Sequence, residues 1–165
     1  MRWLIAFLAL AGMVAAALAL REHYRTEASP CSINPTWDCG IVNKSSFAVI
    51  GGLHGVRGPE ATPPSGSKKN IFSVIDEVPV ADIGIAGYLL LLVLAVAKRW
   101  RLLAATSVPA FAFSCYLAYI EWHILGVWCI YCVISWGIIT LITLLSLIAL
   151  GMNWRKTSLQ DGRAT

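Results

Sequence analysis

Charge is what this sequence has least of. Only 13% of its 165 residues are Asp, Glu, Lys or Arg, against 58% hydrophobic. An ordinary soluble domain carries about 25% charged residues, so that class is excluded. Acidic residues are the scarcer sign, nine against thirteen basic, which leaves a net charge of +4. The basic residues cluster beside apolar runs, so they report on topology, and no nucleic-acid partner is expected. Cysteine is scarce too: five are too few for a disulfide scaffold of this length. There is no internal repeat, and the length suits one domain.

What is abundant is long apolar sequence. Trp3 to Leu20 is an uncharged run of 18 residues behind Arg2. It resembles a signal peptide with Ala17-Leu18-Ala19 as a cleavage site, but it is long enough to span a bilayer, and a retained helix is the reading adopted. Further spans are expected from about Pro79 to Ala97, from Leu102 to Ile120 with a kink at Pro109, and from Ile124 to Leu150. Trp3, Trp100, Trp122, Trp128 and Trp154 fall near span ends, as an interfacial belt would. The expected fold is therefore all-α, an integral membrane four-helix bundle with a large extracytoplasmic loop between helices 1 and 2. Residues 1–152 form the membrane domain and 153–165 a short cytoplasmic tail. Within the loop, Asn43 to Leu53 is mildly amphipathic and predicts a short helix on the membrane face, while Gly55 to Asn70 reads as flexible. Arg2, the Lys98–Arg101 turn and Arg155–Lys156 share one side, which the positive-inside rule makes cytoplasmic.

Four cysteines fall in two close pairs on the opposite side, where disulfides persist. Cys129 and Cys132 form a C-x-x-C about one turn inside the last helix, with helical spacing that puts both on one face. Cys31 and Cys39 are separated by a stretch containing Pro35, which argues for a loop. Three bland readings stand beside the chemical one: a structural loop staple, small apolar packing by the helix pair, and a zinc site, for which C-x7-C is loose. The chemical reading is a thiol relay. The positive end of the helix dipole favours thiolate at Cys129, the loop pair exchanges with it through a mixed disulfide, and Cys132 faces a lipid-soluble acceptor, most simply a quinone. Cys115, alone on the third helix, reads as buried packing. Glu121 and His123 are candidate proton relays, with interfacial solvation as the plainer reading. Asp82 is a candidate proton donor or helix cap. Tyr88 and Trp136 are candidate stacking partners for a quinone ring, set against ordinary packing.

The order C-x7-C, then C-x-x-C at the last helix, resembles the vitamin K epoxide reductase family. Cys39 to Ser45 resembles that family's C-x-x-V-x-x-S, and Val78 to Tyr88 resembles the I-P-x-x-x-x-G-x-x-x-Y that begins the second helix of bacterial members. The resemblance covers roughly residues 3–150. It implies a quinone, ubiquinone or menaquinone, held beside Cys132; attack by Cys39 on Cys129 of a Cys129–Cys132 disulfide; exchange of Cys31 with a periplasmic thioredoxin-like partner; and Ser45 fixing the loop over the quinone. The implied role is oxidation of exported thiols from a bacterial inner membrane, in support of disulfide formation. Two departures weigh against epoxide reduction and anticoagulant sensitivity: Val80 stands where the vertebrate enzyme has an asparagine, and Trp136 where it has a tyrosine. Only 15 residues follow Leu150, so a thioredoxin-like partner is expected as a separate protein. The DsbB family carries its two pairs in the reverse order. The non-enzymatic alternative is a disulfide-stapled membrane subunit or carrier.

Overall fold

A computed structural model describes residues 1–27, 29–53 and 77–161. The expected flexible stretch Gly55 to Asn70 lies outside them. The described chain is all-helical, with isolated bridges but no strand. Its elements are α1 (Arg2–Tyr24), α2 (Cys39–Lys44), a 3-10 turn (Ser46–Ala48), α3 (Ile50–Leu53), α4 (Val80–Val96), α5 (Trp100–Ile120), a π turn (Glu121–Leu125) and α6 (Ile130–Asp161). Among the described residues, three stretches are long and apolar enough to cross a membrane: Arg2–Tyr24, Trp100–Leu125 and Ile130–Trp154. The fourth apolar helix, α4, has 17 residues, or about 26 Å at 1.5 Å per residue, just short of a hydrocarbon core of about 30 Å.

Small residues set the bundle's geometry. On α1 the buried positions include Ile5, Ala9, Gly12, Ala16 and Ala19, spaced three or four apart, so that α4 can approach its backbone closely. A Cβ on Gly12 would overlap the ring of Tyr88 from α4. Tyr88 therefore lies flat against α1 and reaches α6, where its hydroxyl donates to the Ser135 carbonyl at 2.8 Å. Ile5, Ala9, Ala16, Tyr88, Leu91, Ala95, Leu103, Ile139 and Ile142 form the core. At the opposite end, Ser107 and Ser146 hydroxyls meet at 2.9 Å and Thr143 donates to the Ser107 carbonyl at 3.2 Å, joining α5 to α6. Such interhelical bonds satisfy hydroxyls that lipid could not.

Boundaries differ most from the sequence reading in three places. The Asn43–Leu53 helix is broken, because Ser45 ends α2 by folding its hydroxyl back onto the Val42 carbonyl at 2.8 Å, a side-chain bond that competes with helix continuation. The last helix begins at Ile130 instead of Ile124, because Gly126 adopts φ 66° after the π turn. That helix also runs past Leu150 to Asp161. The α4–α5 turn is a Schellman motif, with Arg99 N–H on the Leu94 carbonyl and Lys98 N–H on that of Ala95. Lys98 takes the left-handed position (φ 57°) that glycine usually fills.

Candidate functional site

The loop carrying Cys31 and Cys39 is built from local polar bonds. Asn34 Oδ1 accepts from the N–H groups of Thr36 and Trp37 at 2.9 and 3.0 Å, closing a turn around Pro35. Asp38 caps α2 through the Ile41 N–H at 3.0 Å and also accepts from the Ser32 hydroxyl. The Ser32 hydroxyl first, then the Ile41 N–H, hold the Asp38 carboxyl below its usual range. Cys39 opens α2, is fully buried, and forms a disulfide with Cys31 at a Cα–Cα distance of 5.8 Å.

Two backbone bonds then clip this loop to the helix pair. Asp38 N–H donates to the Trp128 carbonyl at 3.1 Å, and Trp128 N–H to the Thr36 carbonyl at 2.8 Å. The Trp37 and Trp128 rings stack at 6.4 Å, and Trp122 leans on Trp128 at 5.4 Å. Cys39 follows Asp38 and Cys129 follows Trp128, so this register sets the two cysteines side by side. Cys31, Cys39, Val42, Val127 and Cys129 share one buried cluster, with Cys132 packed against it. Trp122 and Trp128, read from sequence as belt residues, are members of this aromatic clip.

Cys129 is the cap of α6 and not an interior residue. Its carbonyl accepts from Val133 N–H at 3.0 Å and its sulfur from Cys132 N–H at 3.4 Å. Asn43 Nδ2 donates to the same sulfur at 3.3 Å while also bonding the Cys39 carbonyl at 2.9 Å. The neighbouring Cys132 thiol, then the Cys132 N–H and the Asn43 amide, hold Cys129 below the usual thiol range, against burial and the Glu121 carboxylate. Glu121 is only 5% exposed, and its Oε2 accepts the Cys129 N–H at 3.1 Å. Interfacial solvation is thus the wrong reading for Glu121. His123 is exposed and stacks on Tyr119 at 4.3 Å.

Beneath the loop lies a largely apolar cavity of about 260 Å³ between α1, α4, α5 and α6. Ser45, Tyr88 and Trp136 all line it, as do His23, Asn43 and Glu121. Cys132 faces this cavity; Cys31, Cys39 and Cys129 do not. Asp82 is half-buried in the first turn of α4 and is not part of the lining. Cys115 is half-buried outside the cavity, accepting from Trp136 Nε1 at 3.4 Å. No group of acidic, histidine or cysteine side chains suited to a metal occurs among the described residues. Sequence reasoning missed Asn43 and His23. The signal for Asn43 was its place four residues after Cys39, on the same face of α2; for His23, whose Nδ1 bonds the Asn43 carbonyl, there was none.

Two cysteine pairs brought together at one end of an apolar helical bundle define a membrane protein built for thiol–disulfide exchange. Residues 3–147 match the model of the Vitamin K epoxide reductase family, and the chain belongs to that family. Its members are membrane thiol–disulfide oxidoreductases that generally use quinone and thioredoxin-like partners. A comparison with curated protein sequences gave no match.

Proposed function

We propose that this protein carries electrons from a separate periplasmic thioredoxin-like dithiol through Cys31 and Cys39 to Cys129 and Cys132, and on to membrane quinone. The observation that carries the reading is the division of labour among the sulfurs. Cys129 shares its cluster with the loop pair, whereas Cys132, one turn further on, lines the apolar cavity. At about 260 Å³ the cavity is near the small end of ligand sites, roughly 300–1,000 Å³. That suits a quinone head group whose tail stays in lipid. Ser45 holds the loop as a roof through its bond to Val42, Tyr88 forms part of the wall with its hydroxyl committed to Ser135, and Trp136 supplies a ring face.

The exchange runs as follows. The partner reduces the Cys31–Cys39 disulfide. Cys39 thiolate attacks Cys129 of an oxidised Cys129–Cys132 pair, and Cys132 leaves as thiolate. Cys31 then attacks Cys39 and releases Cys129, whose ionised form is favoured by its surroundings. A loop disulfide with free Cys129 and Cys132, the arrangement described here, corresponds to electrons having just passed inward. Two electrons and two protons then convert ubiquinone or menaquinone to quinol while the Cys129–Cys132 disulfide re-forms.

In this reading all four apolar helices span, with α4 as the short one. Residues 1–152 are the membrane domain and 153–165 the cytoplasmic tail. The cysteine end faces the periplasm across a bacterial inner membrane, as the charge asymmetry of the sequence supports. The deciding experiment supplies purified protein with a reduced thioredoxin-like donor and a soluble ubiquinone or menaquinone analogue. Quinol formation is the expected result. A protein that stays intact yet forms no quinol, with single Cys→Ser variants behaving alike, would leave the stapled-subunit reading standing.

A further inference from the structure

Glu121 is a carboxylate placed where an apolar cavity offers no reason for one. The π turn at the end of α5 aims it inward, 5% exposed, with Oε2 on the Cys129 N–H at 3.1 Å. The Cys132 side chain lines the same cavity as Glu121, and the Cys132 N–H bonds the sulfur of Cys129, the residue whose own N–H this carboxylate accepts. A capping role for the Cys129 N–H needs only a neutral acceptor. A buried charge costs several kcal/mol unless it is well partnered, and Glu121 has no cation among the partners described for it.

We propose that Glu121 is the proton carrier of Cys132 in both halves of the cycle. This rests on the relay proposed above. When Cys39 attacks Cys129, the Cys129–Cys132 bond breaks, the Cys39–Cys129 bond forms, and the electron pair departs on the Cys132 sulfur. That sulfur takes the proton of the Glu121 carboxyl. In the second half, Cys132 returns its proton to Glu121 as the Cys129–Cys132 bond re-forms and two electrons pass to quinone. Glu121 passes that proton to the nearer quinone oxygen, and water supplies the other. Glu121 regains a proton from water before the next cycle, matching the two that Cys31 and Cys39 release on ionising. Other titratable groups lining this cavity are His23 from α1, Tyr88 from α4, and Tyr131 and Cys132 from α6, with Cys129 in the adjoining buried cluster. Of these, His23 is turned toward the Asn43 carbonyl.

Glu121→Gln separates carrier from cap, because the amide oxygen still accepts the Cys129 N–H but transfers no proton. The first readout needs no quinone. In protein stripped of quinone, reduction of the Cys129–Cys132 disulfide by dithiothreitol is followed by quenched alkylation and mass spectrometry across pH. The expected wild-type profile is bell-shaped, rising as the reductant ionises and falling as Glu121 loses its proton. In Glu121→Gln the falling limb should vanish, and the maximum should drop by about 100-fold, the lower end for general acid catalysis. Glu121→Asp should restore the limb in part. The second readout, quinol formation, should fall in parallel. A Glu121→Gln profile that keeps its bell, or a rate within about threefold of wild type, overturns the proposal. So does a limb that disappears in His23→Gln instead. Should wild-type protein be reduced by dithiothreitol with a bell-shaped profile yet form no quinol, the relay to quinone fails while Glu121 keeps its role toward Cys132.

Discussion

The two cysteine pairs reach the same buried cluster by opposite structural routes. The loop pair spans eight residues of irregular chain and is held by side-chain caps, by two backbone bonds to Trp128, and by its own disulfide. The helix pair owes its geometry to α6, with Cys129 as cap and Cys132 in the first turn. One pair is therefore anchored through bonds that can open locally, the other through a helix that is apolar along most of its length. The proposed relay uses this asymmetry: the loop sulfurs would move to meet a soluble partner, while Cys132 stays fixed at the cavity wall.

The sharpest way to break the comparison is to remove one sulfur from each pair. Cys39→Ser and Cys132→Ser should both bring quinol formation with the protein donor down to background. They should differ with dithiothreitol, which can attack Cys129 directly. Cys39→Ser then keeps substantial turnover, because its helix pair is intact, whereas Cys132→Ser keeps none. Cys31→Ser should lose turnover with the protein donor and accumulate a Cys39–Cys129 link, detected as a non-reduced peptide pair by mass spectrometry. A link formed through Cys31 in the Cys39→Ser protein instead would reverse the two loop roles.

The next largest effect concerns the residue that touches both pairs. Asn43 bonds the Cys39 carbonyl and the Cys129 sulfur. The Cys132 thiol is the main influence holding Cys129 below the usual thiol range, with Asn43 a smaller one, so Asn43→Leu should move its titration upward. A hydrogen bond to a charged group is worth about 1.5–3 kcal/mol at most, and one pKa unit is about 1.4 kcal/mol. Taking the low end of that range, because Asn43 is the smaller influence, the thiolate fraction at neutral pH should fall by about tenfold, read as slower Cys129 alkylation below pH 8. An unchanged alkylation profile would restrict Asn43 to fixing the loop. Smaller still is Trp37→Ala, which removes the stack on Trp128 but leaves the backbone clip. Aromatic pairs contribute about 0.5–1.5 kcal/mol. Transfer from loop to helix pair should slow by roughly two- to tenfold, while dithiothreitol-driven quinol formation stays unchanged.

The sequence made the bundle legible through its apolar runs, since a charge-free stretch of membrane length has few other folds open to it. The two cysteine pairs were legible by spacing. What composition hides is the last few ångströms. The fourth span was expected to begin at Ile124, because the apolar run starts there and no charged residue follows until Arg155. Gly126 in a left-handed turn, after a π turn, moved the helix start six residues and turned Cys129 from an interior position into a cap. The same turn buried Glu121, which by polarity alone belonged in the interface. Asn43 and His23 escaped notice because their partners are brought to them by tertiary packing across 86 and 20 residues. Ser45 was legible as part of a motif, but its action in ending α2 was not.

Cys115 offers the smallest expected effect and a control for the comparison. It belongs to neither pair, lies outside the cavity, and its sulfur only accepts a weak bond from Trp136 Nε1 at 3.4 Å. It sits six residues before Glu121, about 9 Å along the axis at 1.5 Å per residue, so no exchange step reaches it without unwinding α5. In Cys115→Ser the hydroxyl oxygen can still accept the indole N–H, and the half-buried site tolerates the small loss of volume. Turnover with either donor should stay within about twofold of wild type, and thermal stability should change by no more than about 0.5 kcal/mol, as for substitutions away from strained or fully buried features. Loss of quinol formation in a folded Cys115→Ser protein would mean that Trp136, the residue this sulfur touches, depends on it to hold the cavity wall. The division between two working pairs and one bystander would then have to be redrawn around three sulfur sites.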